Sequence, residues 1–289
     1  MATPKLDVGS VDAEINYIRN PPLPGAPKLE FVTSNEDDNT MVTRPGRLVT
    51  ITNARPLTTH LDREGFVLVR HESAVAAFHR IQQDVAVEQV CLDETAELLQ
   101  DLTGATRVLA QSVKKRYGES ATDLLAPLPN AKPARYAHAD NTDPSAVELV
   151  ELMDRFMPDL ELHRYSRYAM YNVWRAFSPP PQDFPLAVCD GRTICPADEV
   201  PVVAITEEVD ADGNLTHIVH DTTGYLHSHD HRWYYFPDMT IDEVIVFKSH
   251  DSDPTRTSRV PHSAFTDPTC PPDVPTRSSV EVRALALFA

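Results

Sequence analysis

His138-Ala139-Asp140 closes the run RYAHAD. On an extended strand residues i and i+2 share a face, so this imidazole and carboxylate converge on one point. Two such groups and a histidine from a distant strand form a facial triad, the ligand set that leaves positions on non-haem Fe(II) open for oxygen and substrate. His262, in RVPHSAF, is well placed to be that histidine. Fifteen residues later comes Arg277-Ser278-Ser279, with Arg277 and Ser279 on one face by the same alternation. A guanidinium beside a hydroxyl suits a carboxylate held by paired hydrogen bonds. The order HxD, distal His, Arg-x-Ser therefore suggests an iron enzyme that also binds 2-oxoglutarate. Each part has a plainer reading as well: HxD alone often marks a turn, and an Arg at a strand start often stands solvated.

A second histidine cluster, His227-Ser228-His229-Asp230-His231 with His217 and His220 before it, could take Zn or Ni from one strand face. Adjacent ligands on one strand diverge too far for tetrahedral closure without a remote fourth group, and the segment reads as a polar hairpin. A cupin would need a glutamate shortly after HxH, and the next is Glu243. The aromatic set Tyr168, Tyr171, Trp174, Trp233, Tyr234, Tyr235 and Phe236 reads mainly as barrel core. Trp174 and Tyr235 are taken from it as candidates for the wall of an organic-substrate pocket.

These groups need strands to hold them, and the second half of the chain supplies the pattern. From Tyr165 onward seven short β-branched and aromatic runs alternate with Pro- or Gly-containing turns such as DADGN, which suggests an antiparallel barrel or sandwich. Upstream, Arg47 to Thr52, Gly65 to Arg70 and Ala105 to Val113 read as strands, and Glu72 to Gln82 and Val85 to Leu102 as helices, the second stopped by Gly104. Asp143 is expected to cap a further helix to Phe156, with Pro144 at its first position. Residues 1–45 are rich in Pro, Asp and Asn and read as an extended arm docked on the core. The expectation is a single domain over 1–289: the arm, helices and strands over 46–130 that buttress the barrel, and a β-barrel core with the metal site over 131–289.

The net charge of −17 and the lone basic cluster Lys114-Lys115-Arg116 argue against nucleic acid and membrane surfaces. The nine glycines are too dispersed for GxGxxG or a P-loop, which removes Rossmann and Walker-type nucleotide enzymes. Four cysteines without a C-x-x-C pair, and no apolar leader in MATPKLDVGSVDAE, fit a reduced, cytoplasmic setting. Cys189 and Cys195 are expected to be buried thiols.

The stretches YNVWRAF with PLAVCDGRTI, HRWYYFPDMTIDEVIVFKSHDSD, VPHSAFTDP and RSSVEVRALALF resemble the AsaB-like hydroxylase/desaturase family, which includes a component of cephem methoxylation and fungal iron oxygenases of natural-product pathways. GFVLVRHESAVAAF, Thr103-Gly104-Ala105 and RYAHAD extend the resemblance over about residues 60 to 288. It implies a mainly β fold with flanking helices around a double-stranded β-helix (jelly-roll, cupin-like) core, with Fe(II) as metal and 2-oxoglutarate as cosubstrate. By motif, His138, Asp140 and His262 fall at the ligand positions, Arg277 and Ser279 at the cosubstrate carboxylate, and Arg175 of NVWR faces cosubstrate or substrate. His250, in KSHDS, competes with His262, which lies closer to the Arg-bearing strand. The histidines from His217 to His231 depart from the family pattern. The expected activity is hydroxylation or desaturation of a small organic metabolite with O2. Two alternatives stay open: an iron oxidase that does not use 2-oxoglutarate, and a non-catalytic partner subunit. A homodimer or partner enzyme is likewise left open.

Overall fold

A computed structural model describes residues 9–21, 28–32, 41–75, 78–81, 83–117, 132–209 and 215–289. The arm beyond the described parts, the polar loop after residue 117 and the DADGN turn lie outside them. Fourteen strands occur among the described residues: β1 Ser10–Ile15, β2 Leu29–Val32, β3 Arg47–Asn53, β4 Phe66–Arg70, β5 Arg107–Tyr117, β6 His138–Ala139 and β7 Arg167–Ala176, then β8 Leu186–Cys189, β9 Glu199–Val209, β10 Leu215–Tyr225, β11 Trp233–Tyr235, β12 Glu243–Asp251, β13 His262–Ala264 and β14 Ser278–Phe288. They form a nine-stranded sheet, β1-β3-β11-β8-β13-β6-β10-β9-β2, and a five-stranded sheet, β4-β12-β7-β14-β5. Most pairs are antiparallel; β3 with β11 and β2 with β9 run parallel. This is the mainly β, jelly-roll architecture expected. Strands of the 46–130 region belong to the sheets themselves, and β1 and β2 of the arm form the two edges of the larger sheet.

Alternation explains how the sheets pack. Trp174, Ile245, Phe247 and Phe66 of the smaller sheet meet Leu186, Val188 and Tyr234 of the larger one in a shared apolar layer. The opposite face of the smaller sheet, with Val173, Val244, Val246 and Ala286, buries against Leu99 of helix α1, Val85–Thr103. Helix α2, Asp143–Phe156, places Ala146, Val150 and Met153 on Met170, Leu285 and Leu287. Both helices start and stop for local reasons. Asp84 caps α1 by accepting from the Ala86 N–H, and Gly104 ends it in the left-handed conformation at φ 70°.

Three expectations change. The cap of α2 is Thr142, in a reciprocal capping box with Ser145, which moves Asp143 into the first turn. The described part of 72–82 holds a short 3-10 turn, Phe78–Arg80, in place of a helix. Glu94 of α1 accepts from the Ser73 hydroxyl and the Ala74 N–H, and the Arg175 guanidinium donates to the His71 carbonyl, so tertiary partners take the groups a helix would use. Cys189 is buried as expected, but Cys195 is exposed.

Gly65, at φ +92°, leads into β4 and approaches the segment before β13. A Cβ there would sit 2.4 Å from Val260 Cγ2 and 2.8 Å from Thr257 Cγ2. Gly65→Ala is therefore expected to cost about 3 kcal/mol from backbone strain and overpacking together. Chemical denaturation reads this directly, and an unchanged midpoint would show that the Val260 segment yields freely.

Candidate metal centre

β6 and β13 are adjacent antiparallel strands, and their register sets His262 directly opposite His138. The two imidazole centroids are 4.3 Å apart. Asp140 leaves β6 on the same face as His138, and one ligand atom from each of His138, Asp140 and His262 lies within 4.8 Å of the others. Among the described residues this is the one such group of three, and all three side chains are buried.

The surroundings fix which atoms face the centre. His138 Nδ1 lies 2.9 Å from the Tyr136 carbonyl and His262 Nδ1 lies 3.2 Å from the Val260 carbonyl. A carbonyl only accepts, so each Nδ1 carries the proton and each Nε2 presents its lone pair. Burial, and then the neighbouring His262, push the His138 pKa down to about 3; burial also lowers that of His262. Both rings are neutral at neutral pH, the form that ligates a metal. Burial disfavours ionised Asp140, but Arg283 and the two imidazoles outweigh it, and its carboxyl stays well below the usual carboxylate range. The Arg283 Nη2 donates to Asp140 Oδ1 and the Asn172 amide to Oδ2. Two buried imidazoles and one buried carboxylate suit Fe(II) of the oxygen-activating kind.

Arg277 immediately precedes β14, and Ser279 lies on the inward face of that strand with Arg283. Arg277 is 2% exposed, donates from Nη1 to the Phe184 carbonyl at 2.7 Å, and has its Cζ 5.5 Å from the Trp174 ring. Trp174 pairs with Glu281, so the guanidinium leans along β14 toward the histidines. Its Nε and the Ser279 hydroxyl are buried without a partner. Buried donors are normally satisfied, so this pair has the chemistry that could hold an anionic oxygen ligand. Burial lowers the Arg277 pKa to about 9, with repulsion from Arg116 adding to it.

Other expected residues fall elsewhere. Arg175 is next to Trp174 on β7 and so points to the opposite face, where it bonds the His71 and Ile241 carbonyls and His71 Nδ1 and lines a small cavity with Cys91 and Glu94. Its expected place at cosubstrate or substrate is corrected accordingly. Tyr235 is corrected for the same reason: it shares the Trp233 face of β11, away from the inter-sheet layer, and packs edge-on to Phe265. Trp174 does face the inter-sheet layer. His250 stacks on Tyr168 with Nδ1 3.3 Å from Asp143, outside the ligand cluster. His227, His229 and His231 gather near Tyr17 on an open surface groove of about 750 Å³, with His231 bonded to Asp198. Asn172, Glu281 and Arg283 were not anticipated. Continuing the Arg277, Ser279 alternation along β14 reaches the last two, and the same alternation back from Trp174 along β7 reaches Asn172.

A family described as an oxidoreductase/YMDC permease-like domain matches residues 15–287. The chain is 31% identical over 272 residues to the Fe(II)/2-oxoglutarate-dependent dioxygenase nvfI of Aspergillus novofumigatus, covering 93% of this chain and 89% of that protein. It is 30% identical to the hydroxylase/desaturase efuI of Hormonema carpetanum, covering 79% and 78%. Among solved structures, the iron and alpha-ketoglutarate-dependent endoperoxidase NvfI superposes with a TM-score of 0.78 at 28% identity, covering 97% of this chain and 98% of that one.

Proposed function

We propose, from the premise that the chain belongs to the family of these fungal Fe(II)- and 2-oxoglutarate-dependent dioxygenases and hydroxylase/desaturases, that it oxidises a small organic secondary metabolite with O2. Its motifs assign it within that family to the AsaB-like hydroxylase/desaturases. His138, Asp140 and His262 hold the iron, and Arg277 with Ser279 holds the distal carboxylate of the cosubstrate. The observation that carries this reading is the buried His-Asp-His cluster with both Nδ1 atoms tied to carbonyls.

When bound, Fe(II) and 2-oxoglutarate supply the oxidative decarboxylation that couples O2 to removal of hydrogen from a substrate. The protein's own contribution is placement. The Tyr136 and Val260 carbonyls set the imidazole tautomers, Asn172 and Arg283 orient the carboxylate, and the cradle on β14 gives the keto acid one direction. The apolar layer of Trp174, Phe247 and Val188 keeps bulk water from the reacting face. Because both sheets contribute to the site, the chain works as a single domain. Its four free thiols fit a cytoplasmic enzyme, and no described helix is long and apolar enough to cross a membrane.

Anaerobic addition of Fe(II) and then 2-oxoglutarate to chelator-treated protein tests the reading. A visible charge-transfer band of a chelated keto acid is expected. Iron binding with no band on adding the keto acid would remove the cosubstrate role, and absence of iron binding would remove the oxygenase reading altogether.

A further inference from the structure

Arg277, immediately before β14, and Ser279, Glu281 and Arg283 on it put four polar residues on one inward face. The first two form the carboxylate cradle, and the other two lie beside the histidines. Arg283 bridges two acids, with Nη2 on Asp140 Oδ1 at 2.5 Å and Nε on Glu281 Oε1 at 3.1 Å. Glu281 is 8% exposed and Asp140 5%. Arg283 is partly buried and keeps 31% of its side-chain surface accessible while holding the buried Asp140.

This arrangement differs from a carboxylate held by neutral donors alone. Asp140 already gives one lone pair of Oδ1 to Arg283 and one of Oδ2 to Asn172, leaving each oxygen a single lone pair for a cation. A guanidinium in direct contact also withdraws charge from the carboxylate and repels a dication, while Glu281 offsets part of that repulsion. The local charge of Asp140, Glu281 and Arg283 is −1 in place of −2. Resting on the iron reading above, we propose that Arg283 is a positioning residue which, anchored by Glu281, fixes the Asp140 carboxylate and keeps the site's affinity for a divalent cation below what the His-Asp-His set alone would give. The restraint keeps Asp140 from spreading both oxygens over a cation, so positions stay open for the keto acid and O2.

Co(II) titration under anaerobic conditions tests this without turnover, because the d–d absorption intensity of Co(II) reports its coordination number. Arg283→Gln keeps a donor near Asp140 but removes the cation, and it is expected to bind Co(II) about tenfold more tightly than wild type with a changed d–d intensity. Glu281→Gln moves the local charge the other way and is expected to bind about tenfold more weakly. A merely structural role would weaken both variants or neither. If Arg283→Gln binds no more tightly than wild type, the proposal is overturned; should that variant fail to fold, unchanged or tighter binding by Glu281→Gln overturns it instead. Wild type that takes up no Co(II), or a His138→Ala variant that binds as well as wild type, would bring down the underlying metal-site reading and this proposal with it.

Discussion

His138→Ala is expected to lose iron-dependent turnover entirely and to weaken Fe(II) binding by at least about 100-fold, since the proposed three-ligand site falls to two. The imidazole is held on every side: its Nδ1 faces the Tyr136 carbonyl, its ring stacks 4.5 Å from that of Tyr136, and Tyr136 in turn stacks on Phe31 at 4.1 Å. Nothing else among the described residues lies in the cluster to take its place. Asp140→Ala should behave alike and also leaves Arg283 with Glu281 as its one remaining acid partner, so it is expected to lose some stability as well. His250→Ala is the informative control. His250 sits against Tyr168 and Asp143, so that variant should keep its iron and its charge-transfer band. Iron retained by His138→Ala and lost by His250→Ala would reverse the ligand assignment.

The same alternation that made this cluster legible also limits what a sequence reveals. His138 and Asp140 are two apart on an extended segment, and the antiparallel pairing of β6 with β13 then brings His262 opposite. The first relation can be read from the chain, whereas the second depends on which strands become neighbours. Trp174 and Arg175 are consecutive, so they could not both face one site, and only their tertiary contacts decide that Trp174 points inward. Tyr235 fails similarly, because β11 turns Tyr234 and not Tyr235 to the inter-sheet layer. The run SVDAEI of β1 does alternate, with Val11, Ala13 and Ile15 buried, but its polar, Pro-rich surroundings hide a six-residue edge strand. β13 has only three residues, too few for a periodic strand signal, so in the sequence it shows only through His262 as a candidate ligand. The residues that hold Asp140 come from β7 and β14, far apart in sequence, and Asn172 meets Arg283 only through register.

Arg277→Met is expected to raise the 2-oxoglutarate concentration for half-saturation about 100-fold while leaving Fe(II) binding intact. A carboxylate in the cradle gains two charge-assisted hydrogen bonds, each worth roughly 1.5–3 kcal/mol, and about 3 kcal/mol corresponds to about two powers of ten in affinity. Arg277→Lys should fall between, because a lysine keeps the charge but not the planar fork. The stability of the metal-free protein separates this from damage to the fold. In the free state the Arg277 Nε has no partner, the guanidinium's other contacts are the Phe184 carbonyl and the Trp174 ring, and burial pulls its pKa down to about 9. A buried cation so poorly compensated costs folding energy, and an apolar side chain of similar length relieves that cost. The Met variant should therefore melt at the same temperature as wild type or above it, even as cosubstrate binding collapses. Half-saturation within about threefold of wild type would assign the distal carboxylate to another cation. A lowered melting temperature together with weakened iron binding would instead mark Arg277 as a residue that supports the fold.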